Sequence, residues 1–228
     1  MKCFVNNIAL HYEMAGAASG SPVILVHGNG ESHEIFDKVV PLLAQTHTVY
    51  AVDSRGHGES SLNVDVTYDL MADDYIAFIQ KLGLKKPVFY GFSDGGIIGL
   101  LIALREPGLL GQLIVSGANL FPEGLDDASL KEIAEEAAAG IKLSQLMLDE
   151  PHIAPESLSA LIVPTVVMAG EFDAIRREHT ELIARSIPGS TLEIVPGENH
   201  GSYIVHSDKI YGLLMKHMKT EPKAPSTF

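Results

Sequence analysis

Cysteine is nearly missing from this chain. Of 228 residues only Cys3 carries a thiol, so no disulfide can close within it, and no CxxC or Cys/His cluster is present to hold zinc or an iron–sulfur centre. A reducing compartment fits such usage, and the cytoplasm is the expected location. Basic residues are scarce as well: 16 Lys+Arg against 29 Asp+Glu give a formal net charge of −13, a field that repels phosphate backbones and anionic membranes, so no nucleic-acid partner is expected. Long apolar runs are absent. The longest, Ile97 to Leu104, ends at Arg105-Glu106-Pro107, far short of the ~20 residues that cross a bilayer. Asn6, Asn7, His11 and Glu13 interrupt the first stretch, so it has no apolar h-region and reads neither as a signal peptide nor as a membrane span.

What is present is a globular composition, 46% hydrophobic and 20% charged, in a length that one large α/β domain can fill. Short β-branched runs alternate with longer helical patterns, the rhythm of a mostly parallel sheet with helices on both faces. Strands are predicted at 3–6, 8–14, 22–27, 47–53, 87–92, 112–117, 164–169 and 190–195. Runs such as Val23-Ile24-Leu25-Val26 and Leu113-Ile114-Val115 lack polar alternation, as central strands buried on both faces do. Residues 1–14 carry polar positions and read as an edge hairpin turned by Asn6-Asn7. Helices are predicted at 33–44, 68–82, 94–106, 175–187 and 203–219. Between the sixth and seventh strands lie about 42 residues, 119–160, with an Ala/Glu-rich helix near 126–139 and a second apolar segment, Ile141 to Leu148. A connection of that length in a compact domain usually has a role. The organisation expected is therefore a core of 1–118 and 161–219, an inserted helical cap of 119–160, and a disordered Pro-containing tail of 220–228.

The sharpest local signal is Gly91-Phe92-Ser93-Asp94-Gly95-Gly96, where a buried strand meets a helix. A G-x-S-x-G elbow holds its serine on a strained strand-to-helix turn, with glycines where a Cβ would strike neighbouring backbone. A serine hydroxyl is a weak nucleophile and needs a base, itself held by an acid. Asp173, in Gly170-Glu171-Phe172-Asp173, and His200, in Gly197-Glu198-Asn199-His200-Gly201, supply that order after the last two strands. Asp173 could instead cap the helix that follows it, and Glu171 is the substitute acid. After the third strand, His27-Gly28-Asn29-Gly30 can turn a backbone N–H toward the serine, so the N–H groups of Asn29 and Asp94 are the expected oxyanion donors. Replacing either side chain by alanine leaves the donor in place and is expected to cost little in kcat. His27 is expected to be a structural hydrogen-bonder. His57 is placed in a turn held by Asp53 and Arg55. Glu31 and Glu34 either favour neutral or cationic substrates or are solvated helix-cap residues. No two histidines have the i, i+4 spacing with a carboxylate that marks a local metal site, so no metal is expected.

Taken together, His27-Gly28, Asp53-x-Arg55-Gly56-x-Gly58-x-Ser60, the elbow at Ser93, Gly170-x-x-Asp173 and His200 resemble the α/β-hydrolase fold family along about 1–219, and the elbow resembles its branch of small-ester hydrolases. The resemblance implies a mostly parallel eight-stranded sheet with the second strand antiparallel, a helical cap after strand six and no cofactor. It implies a Ser93–His200–Asp173 triad acting on a small carboxylic ester. The short cap would line a modest pocket with Phe121, Leu125, Leu146, Met147 and Ile153. A carbon–carbon bond hydrolase or lyase using the same residues, and a non-enzymatic small-molecule sensor, remain alternatives, because one fold hosts many functions. The sequence sets no oligomeric state.

Overall fold

In a computed structural model, residues 1–17 and 19–218 are described. Among them, eight strands form one sheet: β1 (Lys2–Val5), β2 (Ile8–Ala15), β3 (Ser21–Val26), β4 (His47–Val52), β5 (Val88–Phe92), β6 (Gln112–Ser116), β7 (Thr165–Phe172) and β8 (Thr191–Asn199). Their spatial order is β1-β2-β4-β3-β5-β6-β7-β8. Strand β2 pairs antiparallel with β1 and β4, and every other pairing is parallel. The hairpin joining β1 to β2 turns on Asn6 and Asn7 at φ 43° and 62°, the left-handed conformation that Asn tolerates and that such a two-residue turn demands.

The helices are α1 (Val40–Leu43), α2 (Tyr68–Lys81), α3 (Asp94–Arg105), α4 (Asp127–Ala138), α5 (Lys142–Asp149), α6 (Arg177–Ser186) and α7 (Lys209–His217). They cover the sheet on both faces, and the alternation of β3 shows why its sequence is apolar throughout. Ile24 and Val26 pack with Tyr75, Phe78 and Ile97 of α2 and α3, while Val23 and Leu25 pack with Phe36, Leu43 and Leu214 on the opposite face. Each such aliphatic side chain withdrawn from water contributes roughly 1.5–3 kcal/mol. A strand with two buried faces has no position left for a polar residue. No helix among the described residues is long and apolar enough to cross a membrane.

Two expected helices are shorter than their patterns. The stretch 33–44 splits into a 3-10 turn, His33–Phe36, and α1. Pro41 has no N–H to give to the carbonyl one turn back, and its ring crowds that carbonyl, so one helix cannot run through it. The stretch 203–219 begins as turns, with His206 at φ 48°, and becomes helical only at Lys209; Lys219 and the expected disordered tail, 220–228, lie outside the described residues. Residues 119–160 contain α4 and α5 flanked by 3-10 turns at Pro122–Gly124 and Pro155–Ala160. Leu125 of this insertion bridges antiparallel to Ile175, and Asp126 N–H donates to Ala174 O at 2.8 Å, which ties the start of the insertion to the loop after β7.

Candidate active site

Ser93, Asp173 and His200, 107 residues apart at the extremes, follow β5, β7 and β8, so all three stand at the carboxyl ends of parallel strands. Ser93 has φ 53° and ψ −115°, a conformation disfavoured for any residue with a Cβ and held here by its surroundings. Its N–H donates to Ser116 O at 2.8 Å. The elbow glycines are required by space: a Cβ on Gly91 would lie 2.0 Å from Gly95 O, and one on Gly95 would lie 2.4 Å from Val26 O.

The three side chains form a hydrogen-bonded series. His200 Nε2 lies 3.1 Å from Ser93 Oγ, and His200 Nδ1 lies 2.6 Å from Asp173 Oδ1. Asp173 also accepts from Ile175 N–H at 3.0 Å and Gly170 N–H at 2.9 Å. A buried carboxylate with three such partners is fixed in orientation. Helix α6 begins later, at Arg177, with no side-chain cap, so Asp173 is not a helix cap. Glu171 accepts from Gly197 N–H at an exposed position and is not a partner of His200. The Asp173 side chain is 2% exposed and that of His200 28%, so the imidazole reaches solvent while its acid does not. Gly117, which the sequence reading passed over, makes room for the ring. At φ 61° its added Cβ would sit 2.7 Å from His200 Cε1.

Neither the Asn29 N–H nor the Asp94 N–H has an acceptor among the described residues, whereas the Gly28 N–H is taken by Glu31 Oε2 at 2.9 Å. Asp94 opens α3, so its N–H is one of the unpaired donors of a helix start. The Asn29 and Asp94 side chains have hydrogen-bonding partners of their own beside these N–H groups. Asp94 is 3% exposed and accepts from Tyr68 OH at 2.8 Å and Asn29 Nδ2 at 3.0 Å, and Asn29 Nδ2 also donates to Leu143 O of α5 at 3.2 Å. Alanine at either position would leave a buried polar partner unsatisfied, at roughly 1–3 kcal/mol, and would loosen the tie between this loop and the insertion. Burial raises the Asp94 carboxyl above its usual range, against the lowering effect of those two hydrogen bonds. Burial likewise raises Glu31, which is no helix cap: Ser32 caps the 3-10 turn, and Glu34 lies in its first turn.

The five expected pocket residues divide in two. Leu146 and Ile153 are buried against the α2–α3 side of the core with Phe121 half-buried beside them; Leu125 joins Ile133 and Ile175 in a small separate cluster on which Met147 packs. The Phe121 ring meets His179 edge-on at 4.6 Å between centroids.

The turn around His57 is held by Asp53, which accepts from Glu59 N–H at 2.9 Å and, through its carbonyl, from Ser60 Oγ at 2.6 Å, and by the Arg55 carbonyl. The Arg55 side chain forms a buried two-pronged pair with Asp74, Nε to Oδ2 at 2.6 Å and Nη2 to Oδ1 at 2.7 Å. The Asp53 carboxylate also faces Nδ1 of His11 and of His33. His57 Nδ1 faces Arg55 O, within the turn as expected.

Two buried histidines hold the backbone around the site. His27 Nε2 accepts from Ser54 N–H at 3.1 Å with Nδ1 facing Gly28 O at 2.7 Å, and His179 Nε2 accepts from Leu120 N–H at 2.9 Å. His27 is thus a structural hydrogen-bonder. Burial pushes both down to about 4, helped at His27 by the neighbouring His57. An unfolded histidine titrates near 6.5, so between about 6.5 and 4 the unfolded chain binds protons that the folded chain refuses. Stability is therefore complete above that window and falls as pH drops through it, by up to about 3 kcal/mol per histidine. The expected result is a melting temperature that declines from pH 7 to pH 5, less steeply in His179→Gln. An equal decline in both proteins would remove His179 from this explanation.

A family profile described as "alpha/beta hydrolase fold" matches residues 21–134, half of the chain. The chain belongs to the α/β hydrolase fold family. It is 26% identical over 241 residues to the human (Homo sapiens) protein named serine hydrolase BPHL, covering 91% of this chain and 82% of that one. Among solved structures, a thermophilic esterase from Thermogutta terrifontis superposes with a TM-score of 0.75 at 25% identity over 92% of each chain. The meta-cleavage product hydrolase CumD from Pseudomonas fluorescens superposes at 0.78 and 17% identity, covering 95% of this chain and 96% of that one, a likeness of fold. The observed eight-stranded, mostly parallel sheet with its antiparallel β2 is the one that the resemblance implies.

Proposed function

We propose that this protein is a serine hydrolase that cleaves a small carboxylic ester through an acyl-enzyme. The observation that carries the reading is the continuous series Ser93 Oγ, His200 Nε2, His200 Nδ1, Asp173 Oδ1, with links of 3.1 and 2.6 Å. As Ser93 Oγ attacks the carbonyl carbon, its proton passes to His200 Nε2, and Asp173 stabilises the imidazolium while keeping the proton on Nδ1. The carbonyl oxygen becomes an oxyanion between the N–H groups of Asn29 and Asp94. On collapse the carbon–oxygen bond to the alcohol breaks, and His200 returns the proton to the departing oxygen. Water, deprotonated by His200, then attacks the acyl carbon; the bond to Ser93 Oγ breaks, His200 returns the proton to Oγ, and the acid is released. An ester is favoured over an amide because an alcohol leaves with less assistance than an amine. The net charge of −13 favours neutral or cationic substrates.

A panel of p-nitrophenyl esters tests this. Short acyl groups, roughly two to six carbons, should be turned over best, because a longer chain would leave its terminal methylenes in water and forgo ~0.8 kcal/mol for each. A kcat/KM that keeps climbing from butyrate to laurate would show a long acyl groove and overturn the small-ester reading. No turnover with any ester, together with thermal stabilisation by the same compounds, would point to a sensor.

A further inference from the structure

Three ligand-type side chains meet away from Ser93, on the side of the sheet edge where β2 adjoins β4. His11 and Glu13 stand two residues apart on β2 and so share one face of that strand. His33 opens the 3-10 turn after the Asn29 loop. One ring nitrogen from each histidine and one Glu13 carboxylate oxygen lie within 4.8 Å of one another, and His11 Nε2 is 3.3 Å from Glu13 Oε1. Bonds of ~2.0–2.1 Å in a tetrahedral zinc site place neighbouring ligand atoms about 3.3 Å apart, so one edge of such a site already has its length and the rest close by side-chain rotation.

Asp53 makes this more than proximity. Its side chain is fully buried, and it accepts from four donors: His11 Nδ1 at 3.1 Å, His33 Nδ1 at 2.8 Å, His33 N–H at 2.7 Å and Glu59 N–H at 2.9 Å. Gly58, at φ 49°, is the only residue type that leaves it room, since a Cβ there would meet Asp53 Oδ2. Both imidazoles turn Nδ1 toward Asp53, so their Nε2 atoms are the ones left for another partner. A carboxylate behind a histidine, fixing its tautomer and ring orientation, is the arrangement that supports metal-binding imidazoles. Here one carboxylate serves two. Glu59 Oε2, 3.8 Å from His11 Nε2, stands ready for the fourth position. A surface cleft of about 410 Å³ lined by Glu13, His33, Glu34, Asp37 and His206 gives access.

We propose that His11 Nε2, His33 Nε2 and the Glu13 carboxylate form a binding site for one divalent zinc ion, backed by Asp53. Two imidazoles with a carboxylate suit zinc, whereas magnesium and calcium prefer all-oxygen sites. The ion would pin β2 to the turn that follows the Asn29 loop and to the segment after β4, so its effect is stability.

The test is calorimetric titration of the metal-stripped full chain with zinc chloride alone, with melting curves in parallel. One saturable site per chain is expected in the wild type and in His200→Ala. Binding should weaken by about 10–100-fold in Glu13→Gln and further in His33→Ala, each confirmed folded by its circular dichroism. At zinc a hundredfold above its dissociation constant, melting should rise by about 5–10 °C in the wild type, and magnesium should give no such rise. Glu13 is exposed, so Glu13→Gln keeps the test valid should His33→Ala not fold. The proposal is overturned if no saturable zinc binding occurs, if Glu13→Gln and His33→Ala bind zinc as the wild type does, or if His200→Ala abolishes binding.

Discussion

Ser93→Ala should lower kcat for the best ester by a factor on the order of 10⁶, as much as removing all three of Ser93, His200 and Asp173 together. The size follows from their acting as a unit: without Oγ, the base at 3.1 Å has no proton to receive and its acid no imidazolium to stabilise. The fold should survive the change. Alanine keeps the Cβ that Ser93 already carries at φ 53°, so it adds no backbone strain, and the Ser93 N–H bond to Ser116 O remains. Steady-state kinetics on folded protein, checked by an unchanged melting transition, measure it. More than a tenth of the activity remaining would remove Ser93 from the role of nucleophile.

Asp173→Asn should be the next most damaging, at about 10⁴ in kcat. Asp173 has only acceptor duties: His200 Nδ1, Ile175 N–H and Gly170 N–H all point at its oxygens. An asparagine must turn its NH₂ toward one of them. Facing Gly170 or Ile175, it opposes a backbone donor; facing His200, it demands the other tautomer and places a hydrogen on Nε2, where the proton of Ser93 has to go. A buried donor left facing a donor also costs roughly 1–3 kcal/mol of stability. Undiminished kcat in a folded Asp173→Asn protein would mean that another acid orients His200.

The legible parts of this molecule were those where a residue's constraint is local. Buried central strands were readable because two apolar faces leave no alternation, and the elbow because Gly91 and Gly95 are forced by contacts within and just beside the turn. The order of serine, acid and histidine was readable because each follows a strand of the same parallel sheet. What escaped are partnerships across tens of residues. Arg55 pairs with Asp74, 19 residues on, and not with Asp53 two before it. His11 and His33 meet through Asp53, 42 and 20 residues away, a juxtaposition that no i, i+4 spacing encodes. Asn29 binds Leu143, 114 residues later, so its side chain acquires a role that its loop alone does not reveal. A local miss was Pro41, whose lack of an N–H should have divided the stretch 33–44.

The most direct test of a nucleophilic Ser93 is covalent capture. The folded protein would be treated with a small p-nitrophenyl phosphonate ester, which traps an activated serine as a stable adduct, and the modified peptide would be located by mass spectrometry. The expected result is one adduct per chain, on Ser93, formed in step with loss of ester turnover and absent from Ser93→Ala and, within the same time, from His200→Ala. An adduct on any other residue accompanying that loss, or full turnover in a protein carrying the adduct on Ser93, would contradict the proposed mechanism.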